Sequence, residues 1–187
     1  MRRLWAGETV SADGPIRVSE AKLWTRPERP PLLVGAAVTA ETAGWVAGWA
    51  DALITVGQSD DALDAIVAAF RDNGGADKPM FLQVHLAYAA DENEAREAAW
   101  AAWGQNTLPN SVMTELAHPA QITAAASHVT PADLDGAVRI SSDLGRHREW
   151  IRRDLDRGFE RVYLHEVGPD QERFVDIFGR EVLPAFR

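Results

Sequence analysis

Two rhythms alternate along this chain. Short runs of consecutive apolar residues, as buried strands have, are each followed by stretches with apolar residues three and four apart, as one-sided helices have. Leu32-Leu33-Val34-Gly35-Ala36-Ala37 predicts a first strand, and Ala43, Val46, Ala47 and Ala50 predict the helix behind it. Thr39 is placed to cap that helix and Glu41 to sit in its positive first turn. Ala52 to Val56 predicts the next strand. Ser59 then caps a helix whose Leu63, Ile66, Val67 and Phe70 form one stripe, and Gly74-Gly75 ends it. Met80 to Tyr88 reads as the third strand, and Asp91 with Glu94 as a capping box for a helix running to about Trp103. Residues 105–139 form a longer excursion of short helices, one of them starting at Thr130-Pro131. Ser142 or Asp143 begins a helix bearing Leu144, Ile151 and Leu155, which Gly158 ends. Phe159 to Glu166 is the fourth strand, and a last helix after Gly168-Pro169 turns Phe174, Ile177 and Phe178 inward. Ahead of all these, Thr9 to Arg26 holds two extended stretches around Ala12-Asp13-Gly14, a hairpin or extended arm. The proline-rich connector from Arg26 to Pro31 cannot be helical.

Four strand-then-helix units in series imply a parallel sheet with right-handed crossovers. That leaves a doubly wound sheet or part of a barrel. The strand faces favour the barrel. Leu82, Val84 and Leu86 share one parity, whereas Gln83 and His85 share the other; Val162 and Leu164 likewise oppose Arg161, Tyr163 and His165. A doubly wound sheet covers both faces with helices and wants both apolar. A barrel turns one parity inward, where polar groups near the strand ends can line a site. The fold class expected is therefore α/β, a partial (β/α)8 barrel with an N-terminal arm. The whole of 1–187 is taken as one domain, of which 1–30 is arm and connector.

The formal net charge of −9 argues against nucleic acid and anionic membranes as partners, since both would repel the chain. With no cysteine there is no disulfide, thiolate catalysis or cysteine zinc site. Met1 to Val10 has no apolar stretch of the kind a secretory leader needs, and no apolar run reaches the roughly 18 residues of a membrane span, so a cytoplasmic location is expected.

With the strands placed, the sequence resembles the luciferase-like monooxygenase family. The resemblance is carried by Leu4-Trp5-x-Gly7-Glu8, by Leu33-Val34-Gly35-Ala36-Ala37 leading into a helix, and by Asp51 at the start of the next strand. Near the end, Gly158-Phe159-x-Arg161-Val162-Tyr163-Leu164-His165 and Gly168-x-x-Gln171 add to it. Family members are nearly twice as long, so the resemblance implies the C-terminal half of the barrel, strands five to eight, with the arm matching an excursion before the fifth. The closest likeness is to an FMN-dependent branch, which implies an oxidoreductase using FMN, with NAD(P)H or a partner reductase as electron donor, and a small-molecule substrate. Two alternatives stand beside it: a deazaflavin-dependent oxidoreductase, and a non-catalytic half-barrel interaction protein. A half barrel leaves two sheet edges unpaired, so a homo-oligomer or pairing with an N-terminal half is expected.

The resemblance also implies sites. In the family, the loop matching Ala37-Val38-Thr39-Ala40-Glu41 holds the cofactor phosphate, where helix N–H groups attract anions. Val38 and Thr39 stand here where the family has small residues or glycines. Thr39 adds a hydroxyl, while Val38 and Glu41 suit a phosphate poorly; the plain alternative is an ordinary capped turn. Thr55, Gln83, His85, Arg161, Tyr163 and His165 form the inward-facing polar set. Of these Thr55, His85 and His165 are the cofactor-side candidates, and Arg161 is expected deep in a structural ion pair. The sugar-phosphate dehydrogenases of the family hold the substrate phosphate with a threonine, a lysine and an arginine. Val56, Ser59 and Ala137 stand at those positions, which argues against that activity. The family's acid–base residues fall in the half not present, so no catalytic residue is named. His118, His128 and His147 have no metal-ligand spacing. Glu92, Glu94 and Glu97 read as a solvated face, and Trp45/Trp49 and Trp100/Trp103 as core or an oligomer interface.

Overall fold

The computed structural model describes residues 1–187, the side chain of Asn110 excepted. The chain forms two compact units, Met1–Leu33 and Val34–Arg187. In the first, helix α1 (Arg2–Trp5) is followed by strands β1 (Val10–Ala12) and β2 (Val18–Ala21), paired antiparallel with Val10 opposite Ala21. Asp13 and Gly14 lie in the turn between them, as the sequence predicts. The Arg26 guanidinium donates to the Ala6 carbonyl at 3.1 Å and ties the two ends of this unit together.

The second unit runs β3 (Val34–Ala36), α2 (Ala40–Ala47), β4 (Ala52–Val56), α3 (Asp60–Phe70), β5 (Met80–Ala87) and α4 (Glu92–Trp103). After these come the short helices α5 (Asn110–Met113) and α6 (Pro119–Ala126), then β6 (Arg139–Ile140), α7 (Leu144–Asp156), β7 (Arg161–Glu166) and α8 (Gln171–Ile177). The predicted caps form. Thr39 accepts from Thr42 N at 3.2 Å, Ser59 from Ala62 N at 3.4 Å and Asp143 from Gly145 N at 2.7 Å. Asp91 accepts from Asn93 N and Glu94 N at 2.9 and 3.1 Å. Glu94 does not return a bond and so completes no capping box; it lines a small cavity beside Glu166 instead.

All pairings in this sheet are parallel. Carbonyls on alternate residues of β5 define its two edges. Pro79, Gln83 and Ala87 accept from Leu53, Gly57 and Ser141, whereas Met80 and Leu86 accept from Glu160 and Val167. The order is therefore β3-β4-β5-β7, four strands in sequence as in a barrel, with β6 continuing the β4 edge beyond the end of β4. The two-residue β6 was not expected from the sequence; it begins at Arg139, the last residue of the stretch read as short helices.

Register fixes the faces. Gly35, Leu53 and Met80 share one side, as do Thr55, Leu82 and Val162, then Val84 and Leu164, then Leu86 and Glu166. This side carries the core. Leu53, Leu82, Val84 and Leu86 are buried against Val46, Leu63, Ile66, Phe70, Ile151 and Phe178 from the helices. A Cβ on Gly35 would collide with the Val46 side chain, so glycine is what lets α2 lie this close to β3. Gly158, at φ +96°, takes the left-handed turn that ends α7. Ala36, Ile54, Val56, Phe81, Gln83, His85, Arg161, Tyr163 and His165 occupy the opposite side. A core on one side of a parallel sheet is what a barrel wall requires and a doubly wound sheet does not.

Candidate cofactor and substrate face

The C-terminal ends of β4, β5 and β7, on the face away from the core, bring the best candidate groups together. His85 and His165 are register partners, with ring centroids 5.2 Å apart. Gln83 Nε2 lies 3.4 Å from His165 Nδ1. Trp103, the last residue of α4, reaches over the strand ends and packs on both imidazoles, 4.7 Å from the His85 ring and 5.1 Å from that of His165. Burial, and then the neighbouring His165, hold the His85 imidazole below the usual histidine range, so it is neutral at physiological pH. Below this cluster the face is apolar: Ile54 and Val56 are half-buried, and Phe81 is buried under the Arg161 guanidinium, 5.3 Å from its ring centroid. At 45% exposure Tyr163 stands largely in solvent, edge-on to Phe81.

The loop before α2 lies at the same ends of the strands. Val38 is exposed, and its carbonyl accepts from Gln58 Nε2 at 3.2 Å. The Thr39 hydroxyl is committed locally, accepting from Thr42 N and meeting Thr42 Oγ1 at 3.0 Å. What the loop offers an anion is thus the backbone N–H groups of the first turn of α2, beside an exposed Glu41.

Several expectations need correction. Thr55 does not face inward. It shares the core side with Leu82, is 2% exposed, and its Oγ1 has no hydrogen-bond partner among the described residues. Ala37 is a core residue whose N–H is given to Ile54 O, so neither its side chain nor its N–H is available to a ligand. Arg161 makes no deep ion pair among the described residues; it is exposed and lies over Phe81. Trp103, expected as core or interface, joins the candidate cluster, whereas Trp45 and Trp49 form an exposed edge-on pair.

Sequence reasoning also missed Glu166. This carboxyl, 5% exposed, accepts from Gly168 N at 2.8 Å and Tyr88 N at 3.1 Å, clamping the end of β5 to the turn after β7. Burial is the main force pushing its pKa up, to about 7, and Asp170 adds to it against the two N–H donors. The terminal position of a strand alternating polar and apolar residues was the one available signal. Elsewhere, a cavity of about 350 Å³ opens among Ser59, Arg96, Arg139, Arg146, Trp150 and Arg153. Most of its charge is internally matched, Arg96 with Asp135 at 2.7 Å and Arg153 with Asp60 at 3.0 Å. Among the described residues no group of three or more His, Cys, Asp or Glu is placed to hold a metal, and no helix is long and apolar enough to cross a membrane.

Comparison with known proteins follows the same lines. Residues 1–170 match the profile of the family described as luciferase-like monooxygenase. The chain belongs to that family. Among curated relatives, it is 29% identical over 201 aligned residues to an F420-dependent glucose-6-phosphate dehydrogenase of Microbacterium testaceum (strain StLB037). The match takes in 100% of this chain and 58% of that protein. Among solved structures, an F420-dependent secondary alcohol dehydrogenase in complex with an F420-acetone adduct superposes with a TM-score of 0.83 at 21% identity, over 100% of this chain and 58% of that one. A coenzyme F420-dependent tetrahydromethanopterin reductase from Methanopyrus kandleri gives 0.71 at 16% identity, over 99% and 60%. These luciferase-like neighbours establish the fold as a partial barrel. The chain spans a little over half the length of the relatives it matches.

Proposed function

We propose that this chain forms the C-terminal half of a deazaflavin-dependent oxidoreductase that moves a hydride between the coenzyme and a small organic substrate. The observation that carries this reading is similarity along the entire chain to enzymes named for coenzyme F420, a deazaflavin, at 29% identity in the example above. It favours the deazaflavin over FMN. FMN fed by NAD(P)H stays the second reading, because the family description is that of a monooxygenase.

The residues present suit such a cofactor. Ile54 and Val56 supply an apolar wall for a planar ring, His85 and His165 supply polar edges, and the first-turn N–H groups of α2, near Val38, Thr39 and Glu41, supply an anion site. When bound, the coenzyme supplies hydride transfer; the protein orients it and keeps water out. A sugar phosphate fits poorly as substrate. Val56 is apolar and the Ser59 hydroxyl caps α3, so neither contributes a cation there.

Parallel titration of the protein with a deazaflavin coenzyme and with FMN, followed by cofactor fluorescence, tests the reading. Tighter binding of the deazaflavin is expected. Tighter FMN binding would favour the second reading, and no binding of either would favour a non-catalytic interaction protein. We further propose that four more strand–helix units, in another chain or another copy, complete the site. Among the described residues β3 and β7 each pair along one edge only. Size-exclusion chromatography should then find an assembly, and a stable monomer would remove this part of the proposal.

A further inference from the structure

The two imidazoles differ in what they can offer a ligand. Gln83 approaches His165 through its amide nitrogen, which only donates. A neutral imidazole receiving a hydrogen bond at Nδ1 carries its proton at Nε2. Neither ring nitrogen of His85, nor Nε2 of His165, has a hydrogen-bond partner among the described residues. Such groups are half-buried under Trp103, where an unmet hydrogen bond is unfavourable. The surroundings are neutral and apolar. Arg161, the cation on β7 that shares this face, is four residues upstream, about 13 Å along the strand.

We propose that Gln83 fixes His165 in the Nε2–H form, making it a hydrogen-bond donor to an uncharged carbonyl group of a ligand seated on this face. Trp103 holds both rings in place. Gln83 is thus a positioning residue, His165 a ligand-binding one, and the site selects against charged substrates. The carbonyl has two sources, the ring of the bound coenzyme or a small ketone substrate. That identity rests on the oxidoreductase reading; the proton's location does not.

Nitrogen-15 correlation spectra of the histidine-labelled protein test both parts, with the His165 signals assigned by their loss in His165→Gln. In the unliganded protein His165 should appear as the Nε2–H tautomer, and Gln83→Leu should turn it into a mixture. Deazaflavin added to one sample and acetone to another should identify the source, since one of them shifts the His165 Nε2 resonance. That ligand should bind about tenfold more weakly to Gln83→Leu, a loss expected of one hydrogen bond. If His165 is found as the Nδ1–H tautomer, Gln83 accepts rather than donates and the proposal is overturned. It is overturned equally if neither ligand moves the resonance. A correct tautomer with a shift from acetone, but no flavin or deazaflavin binding, would leave the donor in place and remove the oxidoreductase reading alone.

Discussion

Leu82 and Gln83 are adjacent in β5, yet the two faces they belong to treat polar groups differently. On the core face, buried polar side chains are tied down. Asp154, fully buried, receives the Arg139 guanidinium at two points, one at 3.0 Å, and Glu166 accepts from two backbone N–H groups. On the other face Gln83, His85 and His165 share one long contact of 3.4 Å and keep most of their hydrogen-bonding capacity unused. A stable core satisfies its polar groups internally, whereas a surface meant for a ligand leaves some of them for that ligand.

Breaking the Arg139–Asp154 pair should do the most damage. Arg139→Met leaves a buried carboxylate, relieved in part by Arg157, whose Nη1 is 3.6 Å away. A loss of about 3–5 kcal/mol is expected in urea unfolding. A loss below about 1 kcal/mol would mean that Asp154 reaches water or that Arg157 takes over the pairing.

The adjacent pair in β5 gives the next largest contrast. Leu82 is fully buried, so Leu82→Ala should cost about 3 kcal/mol through lost burial and a residual cavity. Gln83→Ala, one residue on, should change stability by no more than about 0.5 kcal/mol. Equal losses would mean that both faces are closed in solution and the comparison fails.

Glu166 sharpens the contrast through pH. Its carboxyl ionises near 4.5 when unfolded and near about 7 in the fold. The folded state therefore holds the proton more tightly, and this group's contribution is complete below about pH 4.5 and lost as pH rises through 7. Glu94, Asp170 and Arg173 line the same small cavity and set the local field. Between pH 5 and 8 the Tm of the native protein should fall relative to that of Glu166→Gln. Parallel curves would mean that the carboxylate is as well accommodated as the acid.

The strand–helix series was legible because each unit keeps its own apolar period, and the core parity of β5 and β7 because polar residues alternate there. Thr55 was misplaced because Ile54 and Val56 are both apolar, so β4 has no alternation to read; only its register with Leu82 reveals the face. Glu166 was missed because its position at the end of β7 is a weak signal and one of its donors is Tyr88 N, 78 residues away in sequence. Trp103 sits at helical spacing from Trp100, and nothing local says that α4 ends over the histidines. The two-residue β6 carries too short a pattern to stand out among turns.

Thr55 is the exception on the core face, and it offers the smallest and most discriminating test. Its hydroxyl is buried with no partner among the described residues, on the side of the sheet that it shares with Leu53 and Leu82. Valine has nearly the same shape without the unmet polar group. Thr55→Val should therefore stabilise the protein by about 1 kcal/mol, a rise in Tm of roughly 2–4 °C for a chain of this size. Thr55→Ser, which keeps the hydroxyl and removes the methyl, should destabilise by a similar amount of about 1 kcal/mol. If valine is destabilising instead, the hydroxyl is bonded in solution. Thr55 would then join Asp154 and Glu166 as a satisfied polar group, and the core face would have no exception.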